Sequence, residues 1–234
     1  MLIVKTGTAS PDLVREHGDY ERWFIRALGD PDRFSVVAAF RGEALPDPSG
    51  FDGVIITGSP LSVCDPAPWM ETTASTLREW VSGGRAVLGV CFGHQLLSHA
   101  FGTPVIRNPK GREIGTIGVT LTPEGRADPM FEGLGRTLTV QATHTDIPGE
   151  VPAGTRLLAT NANTLAQALW FGPRARGLQF HPEMAPETMR SLLRSRREIL
   201  AREGIDGEAK ERDVVASATG IDLLRRFEER FAGA

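Results

Sequence analysis

The sequence predicts an α/β fold, a mostly parallel central sheet with helices on both faces. Three observations predict it. Short apolar runs at residues 2–5, 53–56 and 86–90 lack polar alternation, as strands buried on both faces do. Segments with helical apolar spacing lie between such runs. The run at 86–90 passes directly into Cys91, Phe92, Gly93, His94, Gln95, Leu96 and Leu97, a strand-to-helix turn of the nucleophile-elbow type.

The elements follow in order. Residues 2–5 form the first strand. Residues 19–28 form a helix, because Tyr20, Trp23, Phe24 and Ala27 recur at helical spacing. Residues 34–39 form the second strand, and 41–50, rich in Pro and Gly, a loop. The strand at 53–56 is stopped by Thr57, Gly58, Ser59 and Pro60. A helix over 70–81 places Leu77, Trp80 and Val81 on one face and ends at Gly83 and Gly84. The strand at 86–90 leads through Cys91 into a helix reaching Ala100. Strand candidates then follow one another at 105–107, 114–121, 137–142, 156–159, 165–169 and 175–180, a mixed-sheet region whose last strand returns beside the core. An amphipathic helix over 187–202 turns Met189, Leu192, Leu193, Ile199 and Leu200 inward. A polar stretch covers 203–213. Leu223, Phe227 and Phe231 mark a final helix at 221–231. These readings divide the chain into a domain over residues 1–204 and a C-terminal helical extension over 205–234.

Composition narrows the function. A chain of 234 residues with 41% hydrophobic and 24% charged residues has the balance of a soluble globular protein. The net charge of −3 gives no nucleic-acid footprint, and the arginines over 190–202 read as a solvated helix face. No run of eighteen apolar residues is present, so no membrane span is expected. The first residues read as a strand and lack a signal peptide's layout. Only Cys64 and Cys91 are present, too few for a disulfide framework, which points to the reducing cytoplasm.

The chemistry centres on Cys91. The turn aims its side chain into a cleft, and the helix N-terminus favours negative charge on the sulfur. The competing reading is a buried structural cysteine. A second apolar strand ends in Gln179, Phe180, His181, Pro182 and Glu183. His181 could be a core histidine or, with Glu183, a metal ligand. The other histidines supply no further ligand pattern, so neither a metal nor a cofactor is expected. As a base, His181 would take the thiol proton and pass it to a departing amine, with Glu183 orienting and stabilising the imidazole. Gly58 either sits in a plain β-turn or, with Phe92, offers backbone N–H groups to an oxyanion.

Taken together, these motifs resemble the class I, triad-type glutamine amidotransferases, and the glutaminase domain of GMP synthases above all. Gly89 to Gln95 is similar to that family's nucleophile motif, and Gln179 to Glu183 to its His-Pro-Glu motif. Ile56 to Pro60 is similar to its Gly-Gly-Pro loop, with Thr57 at the first glycine. The resemblance covers residues 2–187 and implies a flavodoxin-like fold. It implies a Cys91-His181-Glu183 triad, an oxyanion hole from Gly58 and Phe92, and Gln95 as a contact to substrate glutamine. The family's His-Gly pair, which grips the amino-acid end of glutamine, corresponds here to His144 and Thr145. Asp146 would pair with a substrate α-amino group or act as a turn residue.

The resemblance implies hydrolysis of the glutamine side-chain amide to glutamate and ammonia. No phosphate-cradling loop follows Glu183, so the expectation is a stand-alone protein that delivers ammonia to a separate synthase subunit or acts alone. Thr145 at a glycine position motivates an alternative, a γ-glutamyl peptidase with the same triad. A non-catalytic regulatory subunit is a third reading, which the intact triad opposes. A cysteine protease of the same broad fold fits Gln95 and the His-Pro-Glu order less well.

Overall fold

Apolar residues on both sides of the N-terminal strands force that part of the chain into the middle of a two-faced sheet. The structure is a computed structural model that describes residues 1–233. In chain order its elements are β1 (Leu2–Lys5), α1 (Pro11–His17), α2 (Tyr20–Leu28), β2 (Ser35–Ala38), β3 (Val54–Ile56), α3 (Pro68–Ser82), β4 (Val87–Val90) and α4 (Phe92–Ala100). The strand-rich region follows, with β5 (Val105–Arg107), β6 (Glu113–Leu121), α5 (Pro123–Arg126), β7 (Thr137–His144), β8 (Asp146–Pro148), β9 (Arg156–Thr160), β10 (Ala168–Gly172) and β11 (Ala175–Leu178). Helices α6 (Pro186–Ser195), α7 (Arg197–Arg202), α8 (Gly207–Arg212) and α9 (Thr219–Phe227) close the chain, α9 running on into a π-helical turn at Glu228–Ala232.

Nine strands form one sheet in the order β2-β1-β3-β4-β11-β10-β9-β6-β7, and β5 pairs with β8 in a small second sheet. Strands β2, β1, β3, β4 and β11 are parallel, and β10, β9, β6 and β7 continue the sheet antiparallel. Side chains alternate along each strand. Leu2, Val4, Val54, Ile56 and Val87 face α3 and α4, meeting Leu77, Trp80, Leu96 and Leu97. Ile3, Ile55, Leu88 and Val90 face the other way and share a core with Phe24 of α2 and with Leu223, Leu224 and Phe227 of α9. The carboxyl ends of β1, β3, β4 and β11 lie side by side, so Thr6, Thr57-Gly58, Cys91 and the segment leading to His181 emerge at one edge.

The structure departs from the sequence expectations in places, each with a local cause. The expected helix over 187–202 is two helices. Arg196 breaks it with φ −108° and ψ 9°, which shifts the phase of the following turn. Leu200 stays buried while Ile199, expected inward, is 45% exposed. The strand expected at 165–169 begins at Ala168, and Leu165 is exposed. Asn161 holds the preceding turn by accepting from the Asn163 and Thr164 amides at 3.0 and 2.8 Å. The polar stretch at 203–213 contains α8, whose first turn is capped by Asp206 accepting from the Ala209 amide at 2.9 Å. The short helix α1 was not anticipated. The final helix starts at Thr219 rather than 221. Of the extension read at 205–234, Ala234 lies outside the described residues.

Because Phe227 is completely buried between α9 and the sheet, Phe227→Ala is expected to cost about 3–5 kcal/mol in urea unfolding. Val36→Ala, at a 45% exposed site, is expected to shift stability by no more than about 0.5 kcal/mol.

Candidate active site

The strand-to-helix turn at Cys91 forms only because two glycines let backbone approach backbone. A Cβ on Gly89 would lie 2.6 Å from the Gly93 carbonyl oxygen, and one on Gly93 would lie 2.5 Å from that of Ile56. Between them Cys91 adopts φ 51° and ψ −102°, a left-handed conformation unusual for a side-chain-bearing residue. Its amide donates to the Leu178 carbonyl at 2.7 Å, and its carbonyl accepts from the Gln95 amide at 3.0 Å, opening α4. The thiol lies 3.8 Å from the Thr143 carbonyl oxygen and is 6% exposed.

His181 arrives from the neighbouring strand β11. Its amide donates to the Gln141 carbonyl at 2.8 Å, pinning it to β7. Nδ1 of the imidazole donates to Oε1 of Glu183 at 2.7 Å, and both side chains are buried. Among the described residues neither Nε2 of His181 nor Oε2 of Glu183 has a hydrogen-bond partner. Burial alone would lower the imidazole pKa. The charges of Glu183 and Cys91 outweigh it and raise the group from 6.5 to about 10. His181 is therefore protonated at neutral pH.

The loop after β3 closes the third side. Thr6 and Thr57, both fully buried, fix it from within. The Thr6 amide donates to Thr57 Oγ1 at 3.1 Å, and Thr57 Oγ1 donates to the Gly58 carbonyl at 2.9 Å. The Thr6 hydroxyl lies 3.0 Å from both the Thr57 and the Gly58 carbonyl oxygens. Gly58 is required by space, since a Cβ there would stand 2.8 Å from Cε1 of His181. Neither the Gly58 nor the Phe92 amide has a hydrogen-bond acceptor among the described residues.

Cys91, Phe92, Gln95, His144, Thr145 and Asp146 line one small cleft of about 70 Å³. Gln95 donates to the Asp146 carbonyl at 2.7 Å and to Gln179 Oε1 at 3.2 Å. His144 Nε2 is engaged by Glu113 and by Thr164, each at 3.2 Å. The Asp146 carboxylate is already taken, by Arg107 at 2.7 Å, by the Ser62 hydroxyl and by Thr145 Oγ1 at 3.3 Å. His94 is a brace, with Nε2 3.1 Å from the Ala166 carbonyl oxygen. Burial pushes its pKa down to about 3, so it stays neutral. His181 and Glu183 instead line a separate cavity of about 150 Å³, together with Trp23, Gln141 and Gly220.

Sequence reasoning missed Thr6, Thr143, Arg112 and Arg196, the last three of which line the Cys91 cleft. Thr6 had a readable signal, since it follows an apolar strand as Thr57 and Cys91 do. Arg196 was concealed within an arginine-rich stretch that reads as a solvated helix face. Among the described residues no group of three or more His, Cys, Asp or Glu gathers as a metal site would, and no helix is long and apolar enough to cross a membrane.

The model of the glutamine amidotransferase class-I family matches residues 20–197, which include Cys91, His181 and Glu183. The chain belongs to that family. Among its class I relatives is one chain of the glutamine-hydrolyzing GMP synthase of Saccharolobus solfataricus, 33% identical over 57% of this chain and 68% of the relative. Gamma-glutamyl peptidase 5 of Arabidopsis thaliana is 26% identical over 76% of this chain and 73% of its own length. A crystal structure of a glutamine amidotransferase from Thermotoga maritima superposes with a TM-score of 0.76, covering 100% of this chain and 99% of that one. At 21% identity that likeness speaks to the class I fold.

Glu183 is the larger of the two charges that raise His181, so Glu183→Gln is expected to lower its titration midpoint well below about 10, as read by imidazole NMR. The raised native pKa also makes stability pH-dependent. The contribution is complete below the unfolded value near 6.5 and is lost as pH rises through about 10. Denaturant midpoints should fall over that window in the parent and less in Glu183→Gln.

Proposed function

We propose that this chain hydrolyses the side-chain amide of L-glutamine through Cys91, His181 and Glu183, releasing glutamate and ammonia. The observation that carries this reading is the convergence of three things at one sheet edge. A thiol sits on a strained turn, a buried imidazole is paired with a carboxylate, and two backbone amides lack acceptors among the described residues.

The steps follow from those groups. With the Cys91 proton already held on Nε2 of His181, the sulfur adds to the γ-carbonyl carbon. The Gly58 and Phe92 amides receive the negative charge that develops on the carbonyl oxygen. His181 returns the proton to the amide nitrogen, the C–N bond breaks, and ammonia leaves a γ-glutamyl thioester on Cys91. Neutral His181 then takes a proton from water, whose oxygen attacks the thioester. The C–S bond breaks and glutamate departs. Glu183 holds the imidazole by Nδ1 throughout, and Gln95, with His144, Thr145 and Asp146, shapes the end of the cleft that holds the amino acid. The natural acceptor of ammonia would be a separate synthase subunit. The likeness to a GMP synthase chain supports this partner class.

A specific observation favours a second reading. Thr145 places a side chain in the cleft and ties it to Asp146, where the family pattern has glycine. A γ-glutamyl peptide would then be the substrate, cleaved by the same steps with an amine as leaving group.

Ammonia and glutamate release from L-glutamine by the purified chain, with Cys91→Ser as control, tests the first reading. Cys91-dependent release is expected. Glutamine left intact while a γ-glutamyl peptide is cleaved would replace it by the second. Gly58→Ala, which crowds Cε1 of His181 and disturbs a proposed oxyanion donor, is expected to lower kcat by roughly 100- to 1,000-fold with either substrate. A change below tenfold would remove the loop from the mechanism.

A further inference from the structure

Arg196 stands apart from the other cleft residues. It lies between α6 and α7 with non-helical backbone, and its side chain lines the Cys91 cleft. Among the described residues its side chain makes one hydrogen bond, from Nη1 to Thr143 Oγ1 at 2.7 Å, and joins no ion pair. Glu203, a carboxylate whose charge reaches it, is already held at two points by Arg112, at 2.7 and 2.8 Å. Burial is the largest influence on its guanidinium and works against the charge. A largely desolvated cation without a counterion is costly, and a guanidinium presents a planar fork suited to a carboxylate.

Its distance from the nucleophile suits a glutamyl group. Thr143 touches both, its hydroxyl accepting from Arg196 and its carbonyl facing the Cys91 thiol. The two are thus separated by about the breadth of one residue. A glutamyl chain carries its α-carboxylate roughly 5 Å from the γ-carbonyl carbon, four bonds of about 1.5 Å each.

We propose that Arg196 binds the α-carboxylate of the substrate's glutamyl group, and so selects γ-glutamyl amides over other carboxamides at this cleft. The proposal rests on the hydrolase reading above and applies equally to glutamine and to γ-glutamyl peptides. Asp146, whose carboxylate is held by Arg107 and Ser62, lines the same cleft, so Arg196 is the charged group there that lacks an ionic partner among the described residues.

The test compares L-glutamine with 4-aminobutanamide, which keeps the carboxamide and the amine but lacks the α-carboxylate. The parent chain should prefer glutamine by about 100-fold in kcat/KM. Arg196→Met should erase most of that preference, chiefly through KM for glutamine, and Arg196→Lys should restore part of it. Equal loss on both amides, with the preference retained, would overturn the proposal. A second readout needs no turnover. Cys91 alkylation by iodoacetate relative to iodoacetamide should fall about tenfold in Arg196→Met, and an unchanged ratio would also overturn it. Failure of the parent to hydrolyse any γ-glutamyl amide would sink the hydrolase reading instead, and the alkylation ratio would still decide the role of Arg196.

Discussion

The site depends on the backbone of one residue. Cys91 is held at φ 51°, a conformation that costs on the order of 1–3 kcal/mol for a residue with a side chain. The surrounding structure over-determines it. The Cys91 amide is fixed by β11, its carbonyl begins α4, and the bare backbones of Gly89 and Gly93 let β4, α4 and β3 close together. Relax that turn and the sulfur would swing back toward the sheet. The Phe92 amide, the proposed oxyanion donor, would move with it, because the next residue in the chain is the first of the helix.

The rest of the site is assembled from adjacent strands with little help from loops. Parallel order β1-β3-β4-β11 sets Thr6, Gly58, Cys91 and His181 side by side. Each is then locked by a bond to its neighbour: Thr6 to the Thr57-Gly58 peptide, Cys91 to Leu178, and His181 to Gln141. This wiring is buried, so each polar group must be satisfied or be left open for chemistry. The open ones are informative. Among the described residues Nε2 of His181 and the Gly58 and Phe92 amides lack partners, while Nδ1 of His181 is held by Glu183. The C-terminal segment supports this arrangement from below. A Cβ on Gly220, in the first turn of α9, would lie 2.3 Å from the Pro182 carbonyl oxygen, so this helix is packed directly onto the turn that carries Glu183.

The parallel half of the sheet was legible in the sequence because its strands are continuously apolar and end in recognisable punctuation. Cys91, His181 and Glu183 were legible for the same reason, each lying at or just beyond a strand end. The antiparallel half was harder to read. Around residue 165 an Asx turn, formed by side-chain hydrogen bonds that apolar periodicity does not report, displaced the strand to Ala168. Arg196 was hidden for a different reason. The pattern over 187–202 fits one amphipathic helix, and only tertiary structure shows that the helix breaks there to turn an arginine into the cleft. Asp146 illustrates the limits of local reading. As a turn residue or a substrate contact it looked free, whereas it lies in β8 with its carboxylate held by Arg107, a partner far away in sequence.

The central claim is covalent, that the glutamyl group passes through a thioester on Cys91. The most direct measurement is acid quenching of the enzyme during turnover of L-glutamine, followed by peptide mass spectrometry. The account predicts one γ-glutamyl adduct, labile to hydroxylamine, on the peptide containing Cys91. Accumulation of glutamate while that peptide remains unmodified, or an adduct on Cys64 in its place, would contradict it.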